Sequence, residues 1–406
     1  MLHPNNNVLI LTHWSYRDAL VQTYTIPYVK IIRRILPFEH KLIVVTSEQP
    51  QLALEPKELE NINRLWSSEN MALVAMPYER MGIRKIIKTI AHIYHLYRLI
   101  RAERIETIHS FCTPAGSIGY LLSKLTGAQL IIDSYEPHAE SMVENGTWLR
   151  NGLPFRILFL MEKLQTKHAK YLVSASSGMI AYAKEKYCME PANFFVKPAC
   201  VDFKEFNYSN HDGHLAEKLE LKNKIVCVYA GKLGGIYLKA EIFDFLRECY
   251  NFWGERFRFL MLTNATREEV VKEMQRVGLP DKVVIQKFVM HSEVPRFLSL
   301  ASFAINPVKP VPTKQYCTSI KDGEYWATGL PVVITKNISD DSEIIRLNNI
   351  GYVLAELSAN EYRKAIEKIN LLIQGGQSEL REKIRATGKQ YRSFEIAEKI
   401  YTTIYS

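Results

Sequence analysis

The chain alternates short apolar runs with longer amphipathic segments, and it does so in two separate stretches. In the first, apolar runs such as Leu42–Glu48 and Ala128–Ser134 are separated from the next by helical patterns such as Phe155–Lys167. The alternation stops in the polar, turn-rich stretch Lys197–Lys224 and restarts at Ile225–Gly231. Short, almost continuously apolar strands separated by helices indicate a parallel sheet that is covered on both faces. The sequence therefore predicts an α/β fold of two doubly wound, Rossmann-like domains.

The length of the chain agrees with two domains. A chain of 406 residues, 47% of them hydrophobic, is longer than one ordinary core accommodates. We place the first domain at residues 1–205 and the second at residues 206–385, and we expect the last helix, at about 386–406, to cross back to the first domain. Doubly wound sheets bind ligands beyond the carboxyl ends of their strands, so the two domains are expected to face a cleft.

Composition narrows the classes of protein. The apolar runs are far shorter than the ~20 residues of a membrane-spanning helix, and the first residues lack the basic region of a signal peptide. We therefore expect a cytoplasmic protein. The six cysteines are far apart in the sequence, which predicts buried thiols. The net charge of +9 fits a phosphorylated ligand, an anionic membrane surface or a nucleic acid, and does not choose among them.

The segment Glu79–Arg104 is a helical pattern with many basic residues. The simpler interpretation is a helix that covers the sheet and exposes a solvated basic face. The alternative is a helix that docks on an anionic bilayer. The sequence shows no nucleic-acid recognition module.

The stretch Val228–Tyr237 reads as a strand that ends in a glycine-rich turn. Gly231, Gly234 and Gly235 permit positive φ and let backbone N–H groups approach a ligand closely. Such a turn before a helix suits a phosphate, and Lys232 adds a positive charge. A tight turn with an exposed lysine explains the same residues equally well.

The stretch "SIKDGEYWATGLPVVIT", from Ser319 to Thr335, is more specific. Ser319 is a candidate N-cap, and Lys321 and Glu324 share one face near the start of a helix. A carboxylate there can accept hydrogen bonds from two hydroxyls, such as those of a ribose, while the lysine and the free N–H groups hold phosphate. The alternative is a surface ion pair worth a few tenths of a kcal/mol.

The pattern K-x-x-E-Y-x-A-x-G-x-P-V-V, at Lys321–Val333, resembles the donor-site motif of GT-B glycosyltransferases, in particular of family 4 (glycosyltransferase group 1). The flanking segments "YAGKLGG" and "NNIGYVL" keep the order of that family. The resemblance implies that Glu324 holds the donor ribose, that Lys321, Lys232 and the Gly234–Gly235 backbone face the diphosphate, and that the backbone of Lys287–Val289 meets the base. The expected donor-binding residues are thus Gly231, Lys232, Gly234, Gly235, Lys287, Val289, Ser319, Ile320, Lys321 and Glu324.

The chain departs from the family pattern at three positions. Tyr316 occupies a position where the family often has a glutamate, eight residues before the ribose glutamate. Lys232 and Tyr237 stand where the family often has an arginine and a lysine. We infer that the groups that hold the leaving diphosphate are either rebuilt around Lys321 or weaker.

In the first domain, "LIIDSYEPHAESM" places acidic residues and a histidine at the carboxyl end of a strand. It resembles the D-x-H-E turn of related transferases, with Tyr135 in place of the histidine and His138 three residues later. We predict Glu136, His138 and Asp133 as catalytic residues, with Glu136 or His138 touching the transferred sugar or acting as a base. The alternative is a loop that caps the next helix.

The resemblance implies an enzyme that moves a hexosyl or N-acetylhexosaminyl group from a nucleotide-diphosphate sugar to a saccharide or lipid-linked acceptor. It implies retention of anomeric configuration and a role in cell-surface polysaccharide synthesis. We expect no cofactor and no metal site, because the sequence has no D-x-D motif. The expected partners are the nucleotide sugar and the acceptor, with peripheral contact at the inner face of a membrane and no nucleic acid.

Two alternatives keep the fold and change the function. One is a sugar-nucleotide 2-epimerase, which needs no acceptor. The other is a non-catalytic, sugar-nucleotide-binding subunit of a transferase complex, suggested by Tyr316 and by the reduced number of basic residues.

Overall fold

The computed structural model describes residues 7–78, 83–375 and 377–406. It divides into two compact units: residues up to Lys197 together with Glu395–Ser406, and Pro198–Phe394. The sequence-based boundaries lay at residues 205/206 and 385/386, a few residues from this division. The last residues of the chain therefore belong to the same unit as its first half.

The first unit contains a seven-stranded parallel sheet with the order β3-β2-β1-β4-β5-β6-β7. Its strands are β1 (Asn7–Leu11), β2 (Leu42–Glu48), β3 (Met71–Pro77), β4 (Ile105–Phe111), β5 (Gln129–Tyr135), β6 (Tyr171–Ser174) and β7 (Phe194–Val196). Its helices are α1 (Ile26–Ile35), α2 (Pro56–Ser67), α3 (Ile83–Ala102), α4 (Thr113–Thr126), α5 (His138–Glu144), α6 (Leu153–His168) and α7 (Met179–Tyr182).

The second unit contains a six-stranded parallel sheet with the order β10-β9-β8-β11-β12-β13. Its strands are β8 (Ile225–Ala230), β9 (Phe257–Leu262), β10 (Val284–Lys287), β11 (Phe303–Asn306), β12 (Val332–Thr335) and β13 (Gly351–Leu354). Its helices are α8 (Gly213–Lys218), α9 (Ala240–Trp253), α10 (Arg267–Val277), α11 (Val294–Leu298), α12 (Ile320–Ala327), α13 (Asp341–Asn348), α14 (Ala359–Gln374) and α15 (Gln377–Arg392). The last helix, α16 (Phe394–Tyr405), returns to the first unit.

Both sheets have the strand order 3-2-1-4-5-6 of a doubly wound fold, so the predicted fold class is confirmed. The cores explain why the strands are apolar throughout. In β8, Val226 and Val228 pack into one buried cluster while Cys227 and Tyr229 pack into another. Because both faces of the sheet are covered, successive side chains are buried on alternate sides.

Local capping signals fix both ends of helix α10. Helix α10 begins after Thr266, whose hydroxyl accepts from the Glu269 N–H while the Glu269 carboxylate accepts from the Thr266 N–H. It ends at Gly278, which has the left-handed φ of 67°. This capping box and terminal glycine are why the predicted range Arg267–Val277 matches the observed one.

The sequence prediction was wrong at the carboxyl end of the chain. We expected one last helix at about 386–406, and the structure has two helices across this range, α15 and α16, separated at Ser393. They belong to different units, since Arg385 of α15 donates to the Phe206 carbonyl and Tyr401 of α16 donates to Asp133. Periodicity alone does not reveal that two consecutive helices pack on different cores.

Two further features were not as expected. Helix α2 was missed, although a capping box of Glu55 and Glu58 and a proline in the first turn mark its start. Cys188 is exposed and Cys317 half-buried, so the prediction of buried thiols holds for the other four cysteines only.

Within the described residues, no helix is both long enough and apolar enough to span a membrane.

Candidate functional site

The strand order of the second unit predicts where its ligand site lies. Strands β8 and β11 are neighbours at the centre of the sheet, where the connections turn in opposite directions. Ligands of doubly wound sheets bind at such a switch point, beyond the carboxyl ends of the strands. Gly231 follows β8 and α12 follows β11, so both predicted donor-binding stretches leave the sheet at this point.

Gly231 and Lys321 lie against each other. A Cβ added to Gly231 would stand 2.6 Å from the Cε of Lys321 and 2.8 Å from the hydroxyl of Tyr229. Both distances are far below a normal contact, so this close approach requires glycine. The structure thus brings together two residues that the sequence predicted, 90 positions apart, for one site.

Lys321 also contacts a residue that marks a departure from the family pattern. Its ammonium donates a hydrogen bond of 2.7 Å to the hydroxyl of Tyr237 and lies 4.3 Å from the centre of that ring. Tyr237 stands where the family often has a lysine. The tyrosine holds the lysine in place beside the glycine-rich turn, which agrees with the expectation that the basic site is rebuilt around Lys321.

The glycine-rich turn presents its backbone. Gly234 and Gly235 have left-handed φ values of 75° and 64°, and a Cβ on either would meet open space. The carbonyl of Lys232 accepts a 2.5 Å hydrogen bond from Tyr229, which fixes the turn, while the lysine side chain is exposed. The turn therefore offers backbone groups and one mobile cation to an anionic ligand.

Ser319 precedes α12 in the extended conformation of an N-cap, as predicted, with Ile320 as the first helical residue. Its side chain makes no capping hydrogen bond, and its buried hydroxyl oxygen has no partner among the described residues. Gly329 ends the region with a φ of 74°, as expected. The start of α12 thus combines an unpartnered hydroxyl with the free N–H groups of a helix N-terminus, an arrangement that suits phosphate.

Glu324 is buried and pairs with a residue that the sequence did not single out. Its Oε1 lies 2.9 Å from Nε2 of His291, in the loop after β10. The hydrogen bond to Glu324 raises the pKa of His291 above its ordinary value and outweighs the opposing effect of burial. Since 33 positions separate the two residues, no local pattern could have identified the pair.

Helix α12 is fixed by a buried acidic pair. Asp322 and Asp341 are both fully buried, and Asp341 forms an ion pair with Arg392. Burial and the neighbouring Asp341 carboxylate raise the pKa of Asp322 well above its ordinary value, which favours its protonated form. It also accepts from Asn306 at 2.7 Å. These contacts anchor α12 to α13 and α15 and hold Lys321 and Glu324 in position.

The residues predicted to face the nucleobase lie farther along the sheet. Lys287 ends β10 with an exposed side chain, and its carbonyl accepts from the Thr263 N–H at 2.8 Å. Val289 packs at the margin of the core. A cavity of about 830 Å³ touches Lys287 and Phe288. Neither Lys321 nor Glu324 lines that cavity, so we assign the donor site to the switch point and not to the cavity.

In the first unit, Asp133 occupies a different environment from the one expected for a catalytic residue. It is fully buried, and its oxygens are bound by Lys197 at 3.2 Å, the Tyr401 hydroxyl at 2.6 Å and His109 at 3.4 Å. Burial alone would raise the pKa of Asp133, but the Lys197 charge and the His109 hydrogen bond outweigh it and lower the pKa to about 2. Its oxygens are engaged inside the core, and the Tyr401 hydrogen bond ties α16 to β5, so the contacts of Asp133 favour a structural role.

Glu136 and His138 are partly exposed at the start of α5. Their side chains approach to 3.3 Å. The buried Glu162 of α6, which the sequence analysis did not identify, contacts the same turn of α5. Glu162 accepts from the Ala139 N–H at 2.9 Å and from the Tyr187 hydroxyl at 2.9 Å, and burial raises its pKa to about 7. Glu162 thus fixes the first turn of α5 and with it His138.

A second, largely apolar cavity of about 110 Å³ lies beyond the ends of β1, β2 and β3. Its walls include Leu11, Val45 and Ile93, together with Thr12 and His13. The buried Thr12 hydroxyl has no hydrogen-bond partner among the described residues. The first unit therefore has a small apolar pocket with one available polar group, at the edge of the sheet where ligands bind.

The two-sheet fold matches the GT-B fold of solved glycosyltransferase structures. A glycosyltransferase from Rickettsia africae ESF-5 superimposes with a TM-score of 0.70 at 15% identity, over 99% of this chain and 98% of that chain. HepE of Anabaena in complex with UDP gives 0.72 at 12%, over 98% and 99%. WaaG, a glycosyltransferase involved in lipopolysaccharide biosynthesis, gives 0.68 at 13%, over 98% and 99%.

A sequence similarity to a known family covers most of the second unit. Residues 224–387 match the family model of glycosyl transferases group 1, a range that contains Gly231, Lys321, Glu324 and His291. A search of curated protein sequences found no match. Residues 224–387 are thus similar to glycosyl transferases group 1, and the chain has the fold of the solved glycosyltransferases.

Proposed function

We propose that the protein transfers a hexosyl or N-acetylhexosaminyl group from a nucleotide-diphosphate sugar to a saccharide or lipid-linked acceptor. One observation supports the donor part of this proposal. Gly231 follows β8, and Lys321 and Glu324 lie on α12 after β11, so all three residues belong to segments that follow the two strands at the switch point of the second unit. The complexes of HepE with UDP and with UDP-glucose add support from a protein of similar fold.

Two sets of groups on this chain would bind two parts of the donor, its diphosphate and its ribose. Lys321, the Ser319 hydroxyl and the N-terminus of α12 would hold the diphosphate, and Glu324 would accept from the ribose hydroxyls. Tyr237 and His291 hold the two ionic side chains before the donor arrives. This preorganisation supports a site in which the leaving diphosphate is stabilised by fixed charges and backbone dipoles.

The transfer breaks the bond between the anomeric carbon and the diphosphate oxygen and forms a bond to an acceptor hydroxyl oxygen. We propose that the acceptor attacks on the face from which the diphosphate leaves, so that configuration is retained and a departing phosphate oxygen takes the hydroxyl proton. Lys321, beside Gly231, would stabilise the charge that develops on that phosphate, and the proposal needs no metal or cofactor.

The first unit would hold the acceptor. The partly exposed pair Glu136 and His138 would contact the sugar or the acceptor, and the apolar pocket beside Thr12 suits an acceptor with an apolar group. We further propose a role in cell-surface polysaccharide synthesis, supported by the likeness in fold to a glycosyltransferase of lipopolysaccharide biosynthesis.

The test is a panel of sugar nucleotides offered with mixed saccharide and lipid-linked acceptors, with release of nucleotide diphosphate as the readout. We expect release with one donor, dependent on acceptor, and product of retained configuration by NMR. Release from no donor across a broad acceptor panel would contradict the proposal. Conversion of a donor to its 2-epimer without acceptor would instead show an epimerase.

A further inference from the structure

Helix α6 and the loop before it expose a row of large apolar side chains. Leu149, Leu153, Ile157 and Leu160 are 82%, 69%, 53% and 55% exposed. The spacing of three and four residues places the three helical members on one face. The opposite face, with Leu158, Glu162 and Gln165, is buried. We call the four exposed residues the α6 stripe.

The charges around the α6 stripe are predominantly positive. Helix α6 carries one acidic residue, Glu162, and that residue is fully buried. Its other charged residues are Arg156 and Lys167, which are exposed, and Lys163, which is partly exposed. Before the helix, Arg150 is 57% exposed although it pairs with Glu140 at 3.2 Å. The other nearby acid, Glu144, is partly exposed on α5.

An apolar stripe bordered by lysine and arginine is the pattern of a helix that lies in the interface of a bilayer. The partly exposed Trp148 precedes the stripe, and tryptophan favours the membrane interface. A second copy of this chain is a poorer occupant, because a symmetric contact through the stripe would bring Arg156 and Lys163 near the same cations of the other copy. The charge pattern favours anionic lipid.

We propose that the α6 stripe docks the protein on an anionic bilayer. The four apolar side chains enter the boundary between headgroups and acyl chains, and Arg150, Arg156, Lys163 and Lys167 contact lipid phosphates. The inference deepens the proposed function, since a lipid-linked acceptor is presented at such a surface. It can be tested with no donor and no acceptor, so its failure and the failure of the transferase proposal are separate results.

The first test measures co-sedimentation of the full chain with vesicles of phosphatidylcholine, with and without about one third phosphatidylglycerol. The variant carries Leu153→Ser with Ile157→Ser. The control is Leu65→Ser on α2, a leucine that is 70% exposed and lies outside the stripe. We expect binding to anionic vesicles, an at least tenfold weaker partition for the double variant, and no change for the control.

The second test separates charge from apolar contact. Arg156→Gln should weaken partition into anionic vesicles about fivefold and leave partition into pure phosphatidylcholine unchanged. No binding of the wild-type chain to anionic vesicles would overturn the proposal, as would an equal loss in Leu65→Ser. A dimer in light scattering that the double variant converts to a monomer would show instead that a second copy covers the stripe.

Discussion

Two buried carboxylates at comparable places in the two units have opposite surroundings. Asp133, at the end of β5, is enclosed by Lys197, Tyr401 and His109. Glu324, on α12, is buried as well, but its partner His291 has a side chain that is 42% exposed. The comparison suggests how to separate the two roles: we expect an acidic residue beyond a strand of a doubly wound sheet to bind a ligand where part of its surroundings opens to solvent. Where every partner is internal, the residue holds the fold.

The largest expected effect is on the stability of the buried cluster around Asp133. Asp133→Asn removes the charge that compensates the buried Lys197, and breaking a buried pair in this way costs about 3–5 kcal/mol of unfolding free energy. Denaturant unfolding measures the loss. The double variant Asp133→Asn with Lys197→Met should recover part of it, because no charge is then left unpaired. An Asp133→Asn variant as stable as the wild type, yet inactive, would instead place Asp133 in the active site.

The next effect concerns the pH dependence of stability. The pKa of Glu162 is raised from 4.5 to about 7 by burial, so between these values the unfolded chain releases a proton that the folded chain retains. The contribution of Glu162 to stability therefore falls as pH rises from about 4.5 to 7, by roughly 3 kcal/mol. Unfolding at about pH 5 and about pH 8 should show this decrease in the wild type.

Glu162→Gln is the matched variant for that measurement, because it keeps the shape of the side chain and removes its titration. The difference in unfolding free energy between the wild type and Glu162→Gln should shrink or reverse as pH rises. A difference that stays constant with pH would contradict the assignment of a raised pKa to this residue.

A smaller effect is expected on nucleotide binding at the candidate donor site. Lys321→Gln removes the cation beside Gly231 and should weaken binding of a nucleotide diphosphate by about 2 kcal/mol, roughly 30-fold, with unfolding unchanged. Calorimetric titration measures the affinity. Lys336→Gln, an exposed lysine of the same unit, serves as the control for a general charge effect. Equal losses in both variants would show that the site recognises net charge only.

The smallest effect belongs to His291. Its pKa is raised by Glu324, so the protonated pair stabilises the folded protein fully below about pH 6.5, and this contribution is lost as pH rises through the raised pKa. Because the histidine is partly exposed, we expect less than about 1 kcal/mol. His291→Gln should abolish this component of the pH dependence. A wild type and variant with the same pH profile would show that the pair adds nothing to stability.

The sequence predicted what local pattern determines. Apolar runs located the strands, and the stretch around Lys321 and Glu324 located the candidate donor site, because both depend on neighbours in the chain. Gly231 was predicted from turn chemistry, and the structure adds the reason, which is the close approach of Lys321.

The remaining features depend on contacts between distant residues. Asp133 was predicted to be catalytic because it lies at the carboxyl end of a strand. The sequence does not show that the carboxylate is enclosed, because its partner Tyr401 is 268 positions away. His291 and Glu162 were missed for the same reason, since their roles arise from contacts with Glu324 and Ala139 that only the fold creates. The exposed stripe on α6 was likewise hidden, because periodicity does not say which apolar residues are left uncovered.

The central claim is that Glu324 binds the donor while Asp133 holds the fold. The most direct measurement compares UDP affinity and unfolding free energy for Glu324→Gln, with Glu343→Gln as an exposed acidic control in the same unit. We predict that Glu324→Gln weakens UDP or the accepted nucleotide diphosphate about 30-fold with little change in stability, and that the control changes neither. Unchanged nucleotide affinity, or a loss of stability like that of Asp133→Asn, would contradict the claim.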